Sequence, residues 1–249
     1  MDPLDLTRRI DVGMQTYPGD PEVAVEPSAT MAADGYRVTR LSLSTHAGTH
    51  VDAPAHTEPD GATLDEFSVG DFRLDARLVD LPGEAHGTDD AGGSGDAGGT
   101  DAGLDAREPI EPSMLPDDAD GADVLVVRTG WGTHWGADRY FDHPYLTRAA
   151  ARRVADLGCS LALDTLSPDP SPTARAGDAE REAGTAPDGR ATGSRDEPEG
   201  VPAHRELLGA GRLVVENLRL PSELPERFRL RAYPLRVDAD GAPARAVAE

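Results

Sequence analysis

The sequence contains no lysine; all 24 of its basic side chains are arginine, set against 46 acidic ones, for a net charge of −22. An excess of that size repels polyanions, which excludes nucleic acid and anionic membrane surfaces as main partners. Cysteine is nearly absent too: Cys159 stands alone, so no internal disulfide framework exists and a reducing, cytoplasmic compartment is expected. Aromatic residues are few, with 2 Trp, 5 Tyr and 4 Phe. No apolar run approaches the roughly 20 residues that a membrane span requires. The opening MDPLDLTRR lacks an apolar run behind its charges, which argues against a cleaved secretory leader.

What remains is enough for a folded domain. The chain has 249 residues, 38% of them hydrophobic, which suits one or two domains with a sizeable core. Two segments read as insertions. Residues 86–107 are rich in Gly and Asp, with Leu104 as the only large apolar side chain, and residues 170–200 are Pro, Glu, Arg, Gly and small residues. Neither buries enough to offset its ordering entropy, so both are expected to be mobile surface loops. They account for only a small part of the net charge, so the folded surface itself is acidic. Salt screens such a surface, the Debye length falling to about 3 Å at 1 M. The composition resembles that of proteins from salt-accumulating halophiles; a GC-rich genome also favours Arg, Asp, Gly and Ala but does not by itself yield two acids per base.

The rest alternates between strand-like and helix-like stretches. Residues 36–45, YRVTRLSLST, alternate through Leu41 and Leu43 and predict a half-buried strand. Residues 76–81, 123–128, 159–164, 213–218 and 228–237 predict further short strands. Residues 145–157 predict a helix capped by Thr147, stopped by Gly158, with Leu146, Ala150, Val154 and Leu157 facing inward. The pattern is mixed α/β in one domain spanning 1–249, with more strand than helix.

Three of the seven histidines fall in one short segment, His46-Ala-Gly-Thr-His50-Val-Asp52-Ala-Pro-Ala-His56. It follows the strand expected at 36–45, so an irregular strand-end loop is expected to aim it at one point. His46 and His50 are four apart, on one side of a turn, and Asp52 adds a hard oxygen. Two imidazoles and a carboxylate with room for water suit an open, catalytic metal site. Gly48 and Pro54 allow the tight turn.

HxGTHxDxPxH resembles the signature of the cyclase family of metal-dependent hydrolases, which includes bacterial kynurenine formamidases. The resemblance extends over nearly the whole chain: Asp5-Leu-Thr and Tyr17-Pro-Gly-Asp-Pro21, Arg128-Thr-Gly-Trp131, Tyr140 to Tyr145, Asp164-Thr-Leu-Ser-Pro-Asp169, His204-Arg-Glu-Leu-Leu208, Leu213-Val-Val-Glu-Asn-Leu218, and Pro234-Leu235 with Gly241-Ala-Pro-Ala-Arg245. Only the two acidic insertions depart from it. It implies a mixed α/β swivelling-type domain that assembles as a dimer or tetramer. It also implies two divalent ions, zinc with manganese as the alternative: His46, His50 and Asp52 hold the first, and Asp52 bridges to a second held by His204 and Glu216. His56 is implied as the proton shuttle.

The implied reaction converts N-formyl-L-kynurenine, a small aryl formamide of tryptophan catabolism, into L-kynurenine and formate by hydroxide generated on the metal. Tyr17, Phe67 and Trp131 are candidates for the substrate wall, with core packing an equal alternative for Trp131. A related hydrolase opening a cyclic amide such as isatin, or acting on another small amide or lactone, is the nearest alternative. Isatin-type relatives carry an amide at the distal ligand, where this sequence has Glu216. A non-catalytic metal-binding protein is the reading from a different class, and the retention of His56 weighs against it. Outside the motif, His86, His134 and His143 read as structural or solvated, Asp164 and Asp169 as turn caps or supports of the ligands, and Cys159 as a small buried hydrophobe.

Overall fold

A run such as VLVV at 124–127 offers no polar face to water, so it folds only where both its sides are covered. The computed structural model, which describes residues 2–81, 104–172 and 197–249, provides that cover. The strands are β1 (Leu4–Asp5), β2 (Ala24–Ala29), β3 (Val38–Ser42), β4 (His50–Asp52), β5 (Arg73–Asp80), β6 (Pro109–Ile110), β7 (Val124–Arg128), β8 (Tyr145–Leu146), β9 (Ser160–Leu163), β10 (Val214–Glu216), β11 (Arg227–Pro234) and β12 (Gly241–Ala248). The helices are α1 (Met31–Asp34), α2 (Arg148–Asp156) and α3 (Pro202–Gly209), joined by several single 3-10 turns.

Eight strands form one sheet in the order β1-β12-β11-β5-β7-β9-β10-β4, and β4 also pairs with β12, so the sheet closes on itself. The run β5-β7-β9-β10 is parallel, while β4, β11 and β12 join it antiparallel. Alternation sorts the side chains of β7 into two cores. Val124 and Val126 point into the closed sheet beside Val51, Ala76, Ala162, Val215 and Leu230. On β12, Ala242, Ala244, Ala246 and Ala248 line the same interior, small side chains that fit where strands converge. Leu125 and Val127 face outward and pack with Leu161, Leu163 and Val214 under α2 and α3. This is the mixed α/β domain expected from the sequence.

Helix α2 starts at Arg148 because the Thr147 side chain accepts a hydrogen bond from the Ala150 amide; Tyr145 and Leu146, expected inside it, form β8 instead. The other expected strands appear with their ends shifted by a few residues. The strand expected at 36–45 is corrected. β3 pairs only with β2, and all five of its residues are exposed, because no second layer of the described residues packs on this hairpin. The insertion bounds are corrected at their described ends as well. Leu104 is buried in the outer core, Ser171 is buried, and Arg107 forms an ion pair with Glu197. Residues 82–103 and 173–196 lie outside the described residues.

Candidate metal centre

The segment 46–56 is not all loop. His50–Asp52 is strand β4, wholly buried and paired on both sides. Residues two apart on a strand share a face, so His50 and Asp52 point the same way. The register sets Glu216 of β10 opposite His50, which brings a third polar side chain to that spot. His204 arrives from the first turn of α3, whose opening is held by one residue. Asp169 accepts the amides of Ala203 and His204 at 2.8 and 3.0 Å and the His204 Nδ1–H at 2.8 Å. Thus Asp169 caps the helix and aims the imidazole, combining the two roles considered for it.

These groups converge. His50 Nε2 lies 3.2 Å from Asp52 Oδ1 and 3.2 Å from Glu216 Oε2, and His204 Nε2 lies 3.2 Å from Glu216 Oε1 and 3.7 Å from Asp52 Oδ2. His46 Nδ1 is 2.7 Å from Asp52 Oδ1. Two sets therefore have their ligand atoms within 4.8 Å of one another, His46–His50–Asp52 and Asp52–His204–Glu216, and Asp52 is common to both. The outer nitrogen of His50 is held by the Gly48 carbonyl at 2.8 Å, leaving Nε2 to face the cluster. Asn217 supports this turn: its Nδ2–H₂ donates to the same carbonyl at 3.0 Å, and Tyr140 donates to its Oδ1 at 2.9 Å.

His50 Nε2, Asp52 Oδ2 and Glu216 Oε1 are buried without a hydrogen-bond partner. Such orphaned atoms are costly in a dry interior, and a cation facing all three would satisfy them. The donor set of imidazoles and carboxylates suits zinc or manganese, so the residues fit a divalent metal centre. In the protein alone, burial pulls the imidazoles of His50 and His204 down, yet Asp52, Glu216 and Asp169 outweigh it and hold both well above the ordinary histidine value. His46 is raised in the same way by Asp52 and Asp240. Burial pushes the Asp52 carboxyl up, but the surrounding imidazoles hold it well below its ordinary value.

His56 lies in the 3-10 turn Pro54–His56. Its ring centroid is 4.2 Å from that of His46 and 5.3 Å from that of His204, on the more open side of the cluster. Sequence reasoning missed one residue there: Asp240, whose Oδ2 is 2.8 Å from His46 Nε2 and 3.1 Å from His56 Nδ1. The signal was present, since Asp240 directly precedes the Gly241-Ala-Pro-Ala-Arg245 block.

The wall candidates separate. The Tyr17 hydroxyl is raised by burial and by the charge of Glu216. Trp131 is buried with Tyr140 and Leu166, and Tyr17 packs on that group. Phe67 lines a different hollow of about 370 Å³ with Leu64, Val69, Tyr233 and Leu235, which contains none of the clustered ligands. Of the remaining histidines, His143 is buried between the Pro144 carbonyl and Ser171 Oγ, and burial lowers its imidazole to about 4. His134 packs its edge on Trp131 at 4.7 Å between centroids, and His86 lies outside the described residues. Asp164 accepts from the Thr129 amide and hydroxyl, a turn cap, and Cys159 is buried in the outer core.

The chain is similar to known proteins over nearly its whole length. A kynurenine formamidase of Salinibacter ruber is 29% identical over 98% of this chain and 95% of its own, and one of Geobacillus thermodenitrificans is 26% identical over the same shares. Among solved structures, isatin hydrolase A of Labrenzia aggregata superposes with a TM-score of 0.72 at 20% identity, covering 99% of this chain and 92% of that one. A structure titled as a potential metal-dependent hydrolase with cyclase activity gives 0.67 at 23%, covering 99% and 96%. The Cyclase family model matches residues 4–170; the chain belongs to the Cyclase family.

Proposed function

We propose that this protein hydrolyses N-formyl-L-kynurenine to L-kynurenine and formate, using two divalent ions, zinc in the first instance. That it is a hydrolase of carbon–nitrogen bonds other than peptide bonds follows from the relatives that match its full length. The observation that supports metal-dependent hydrolysis is the set of orphaned ligand atoms on His50, Asp52 and Glu216, with His56 standing over it at the open side; the choice of N-formylkynurenine rests on the similarity to kynurenine formamidases. His46, His50 and Asp52 would hold one ion, and Asp52, His204 and Glu216 the other. Bound there, such ions lower the pKa of water towards about 7 and polarise a carbonyl oxygen.

The chain's own residues do the rest. His56 takes the proton released as water adds to the formyl carbon, and returns it to the aniline nitrogen as the C–N bond breaks. An aryl amine leaves more readily than an alkyl amine, which lightens that second transfer. Tyr17 borders the substrate, with Trp131 behind it, while Phe67 lines the separate hollow with Leu64, Val69, Tyr233 and Leu235.

A homodimer or a larger homo-oligomer belongs to the same proposal. The hairpin of β2 and β3 with α1 exposes Met31, Tyr36, Val38 and Leu41, and Val69, Leu235 and Val237 are exposed elsewhere. Apolar side chains grouped in this way suit burial against a second copy. The composition supports a cytoplasmic, salt-adapted protein, and among the described residues no helix is long and apolar enough to cross a membrane.

The deciding experiment is an assay of kynurenine release in about 2–3 M KCl, which screens the acidic surface, with zinc or manganese supplied. Light scattering on the same samples gives the oligomeric state. Metal-dependent turnover supports the reading. A folded, metal-loaded protein that leaves N-formylkynurenine intact and opens isatin moves the substrate to cyclic amides. Metal binding with turnover of neither indicates a non-catalytic metal-binding protein.

A further inference from the structure

We infer that Asp240 is a positioning residue that, through one carboxylate oxygen, holds both the metal ligand His46 and the proton-transfer residue His56 in their working tautomers. The inference rests on the functional reading above for the role of His56, and on geometry alone for His46. An ionised carboxylate only accepts hydrogen bonds. With Oδ2 at 2.8 Å from His46 Nε2 and 3.1 Å from His56 Nδ1, both of those nitrogens carry their hydrogens. His46 Nδ1, on the other side of the ring, faces Asp52 Oδ1 at 2.7 Å, where a cation held by both would sit. On His56 the contact is made by Nδ1, which leaves Nε2 as the nitrogen available for proton transfer. Carboxylates that orient a ligating imidazole from its far side recur in metal sites and tune ligand basicity; Asp169 does this for His204.

The carboxylate is held in place from several directions. The Asp240 carbonyl accepts the Ala53 amide at 2.8 Å, and the Ala239 carbonyl accepts the Leu64 amide at 3.0 Å. The other carboxylate oxygen, Oδ1, accepts from the Thr45 hydroxyl at 3.3 Å. The next residue, Gly241, pairs with Asp52 across β12 and β4. A Cβ on Gly241 would come within 2.8 Å of His46 Cε1 and 3.2 Å of Asp52 Oδ1. The chain thus approaches the ligands as closely as backbone can, and the residue before that glycine is the one that reaches both rings. His46, His56 and Asp240 also place ligand atoms within 4.8 Å of one another, so direct ligation by Asp240 is the competing role.

The test compares the zinc-loaded wild type with Asp240→Asn, Asp240→Glu, His56→Ala and the His56→Ala/Asp240→Asn double variant, with Asp238→Asn on the exposed neighbouring position as the control. Zinc stoichiometry and affinity are measured by chelator competition, and kcat and KM with N-formylkynurenine, or with isatin if that is the substrate turned over. Asp240→Asn is expected to keep the full zinc stoichiometry, to weaken one ion by about 10–100-fold and to lower kcat by a similar factor, with KM within about 2-fold. Asp240→Glu recovers part of the loss. In the His56→Ala background the same change lowers kcat by less than about 3-fold, because its partner is gone. Unchanged zinc affinity together with a full additional kcat loss in the double variant overturns the inference. Loss of one whole zinc equivalent in a folded Asp240→Asn protein also overturns it and makes Asp240 a ligand. Should the wild type turn over neither amide, the formamidase reading fails, while zinc affinity alone still decides the role towards His46.

Discussion

The two halves of the metal centre differ in their contact with water. The floor, His50, Asp52, His204 and Glu216, is at most 6% exposed, whereas His46, His56 and Asp240 at the rim range from 17% to 39%. The floor residues come from two paired strands and the first turn of a helix, with their outer nitrogens tied to the Gly48 carbonyl and Asp169. They are buried and left with orphaned atoms. The rim residues bond to one another and have no such orphans. A floor of this kind suits holding charge, and a partly wet rim suits moving protons. Breaking one half should therefore fail differently from breaking the other.

The largest effect is expected on the floor. Asp52→Asn removes the carboxylate common to both ligand sets, and should abolish metal binding together with activity, a loss on the order of 10⁴-fold or more; metal analysis of the purified variant checks it. At the rim, His56→Ala should slow turnover by about 10²–10⁴-fold while metal content stays at the wild-type level. If His56→Ala also empties the site, the division into floor and rim is wrong.

A pH series sharpens the same contrast. The imidazoles of His50 and His204 are raised in the metal-free protein, so the stability they contribute is complete below about 6.5 and lost as pH rises through their raised values. Asp52 is lowered, and its contribution is present above about 4 and lost as pH falls through its lowered value. The metal-free cluster is therefore most favourable between those limits, whereas metal binding strengthens as protons leave the ligands. The difference in Tm between loaded and chelator-treated protein should grow by several degrees from pH 6 to pH 8. His143, lowered to about 4 by burial, acts in the opposite sense: stability is lost as pH falls from about 6.5 towards that value. It is present in both forms, so it cancels in the difference.

The smallest effect tests the junction between the halves. Gly241→Ala inserts a methyl against His46 and Asp52 and should cost about 1–3 kcal/mol, the range for overpacking, with weaker metal retention; a denaturant titration reads the first and chelator competition the second. A neutral Gly241→Ala would mean that the two halves are not in contact through this residue.

Much of the centre was legible because its residue types are chemically unusual together. His46, His50, Asp52 and His56 fall within eleven positions, and spacing alone groups them. His204 and Glu216 came only through the family resemblance, since nothing in their own surroundings marks them as ligands. Asp240 was missed because an Asp before Gly reads as an ordinary turn. The strand at 50–52 was invisible for another reason: three residues cannot display a period of two, and its pairing depends on β10 and β12, over 160 residues away. The hairpin at 36–45 misled in the opposite direction. Its alternation is genuine, yet the layer that would bury it is absent among the described residues.

Composition and spacing set the chemistry available: a lysine-free acidic surface, one ligand-rich segment, a short strand at 123–128 and a helix opened by Thr147. These are local properties of composition, spacing and capping. Long-range folding is what closes the sheet through β4 and β12, sets Glu216 in register with His50, lets Asp169 both cap α3 and aim His204, and joins His46 to His56 through Asp240. Each of those depends on pairing between distant segments, where the free energy lies in burial and cross-strand register, and neither is a property of any short stretch of chain.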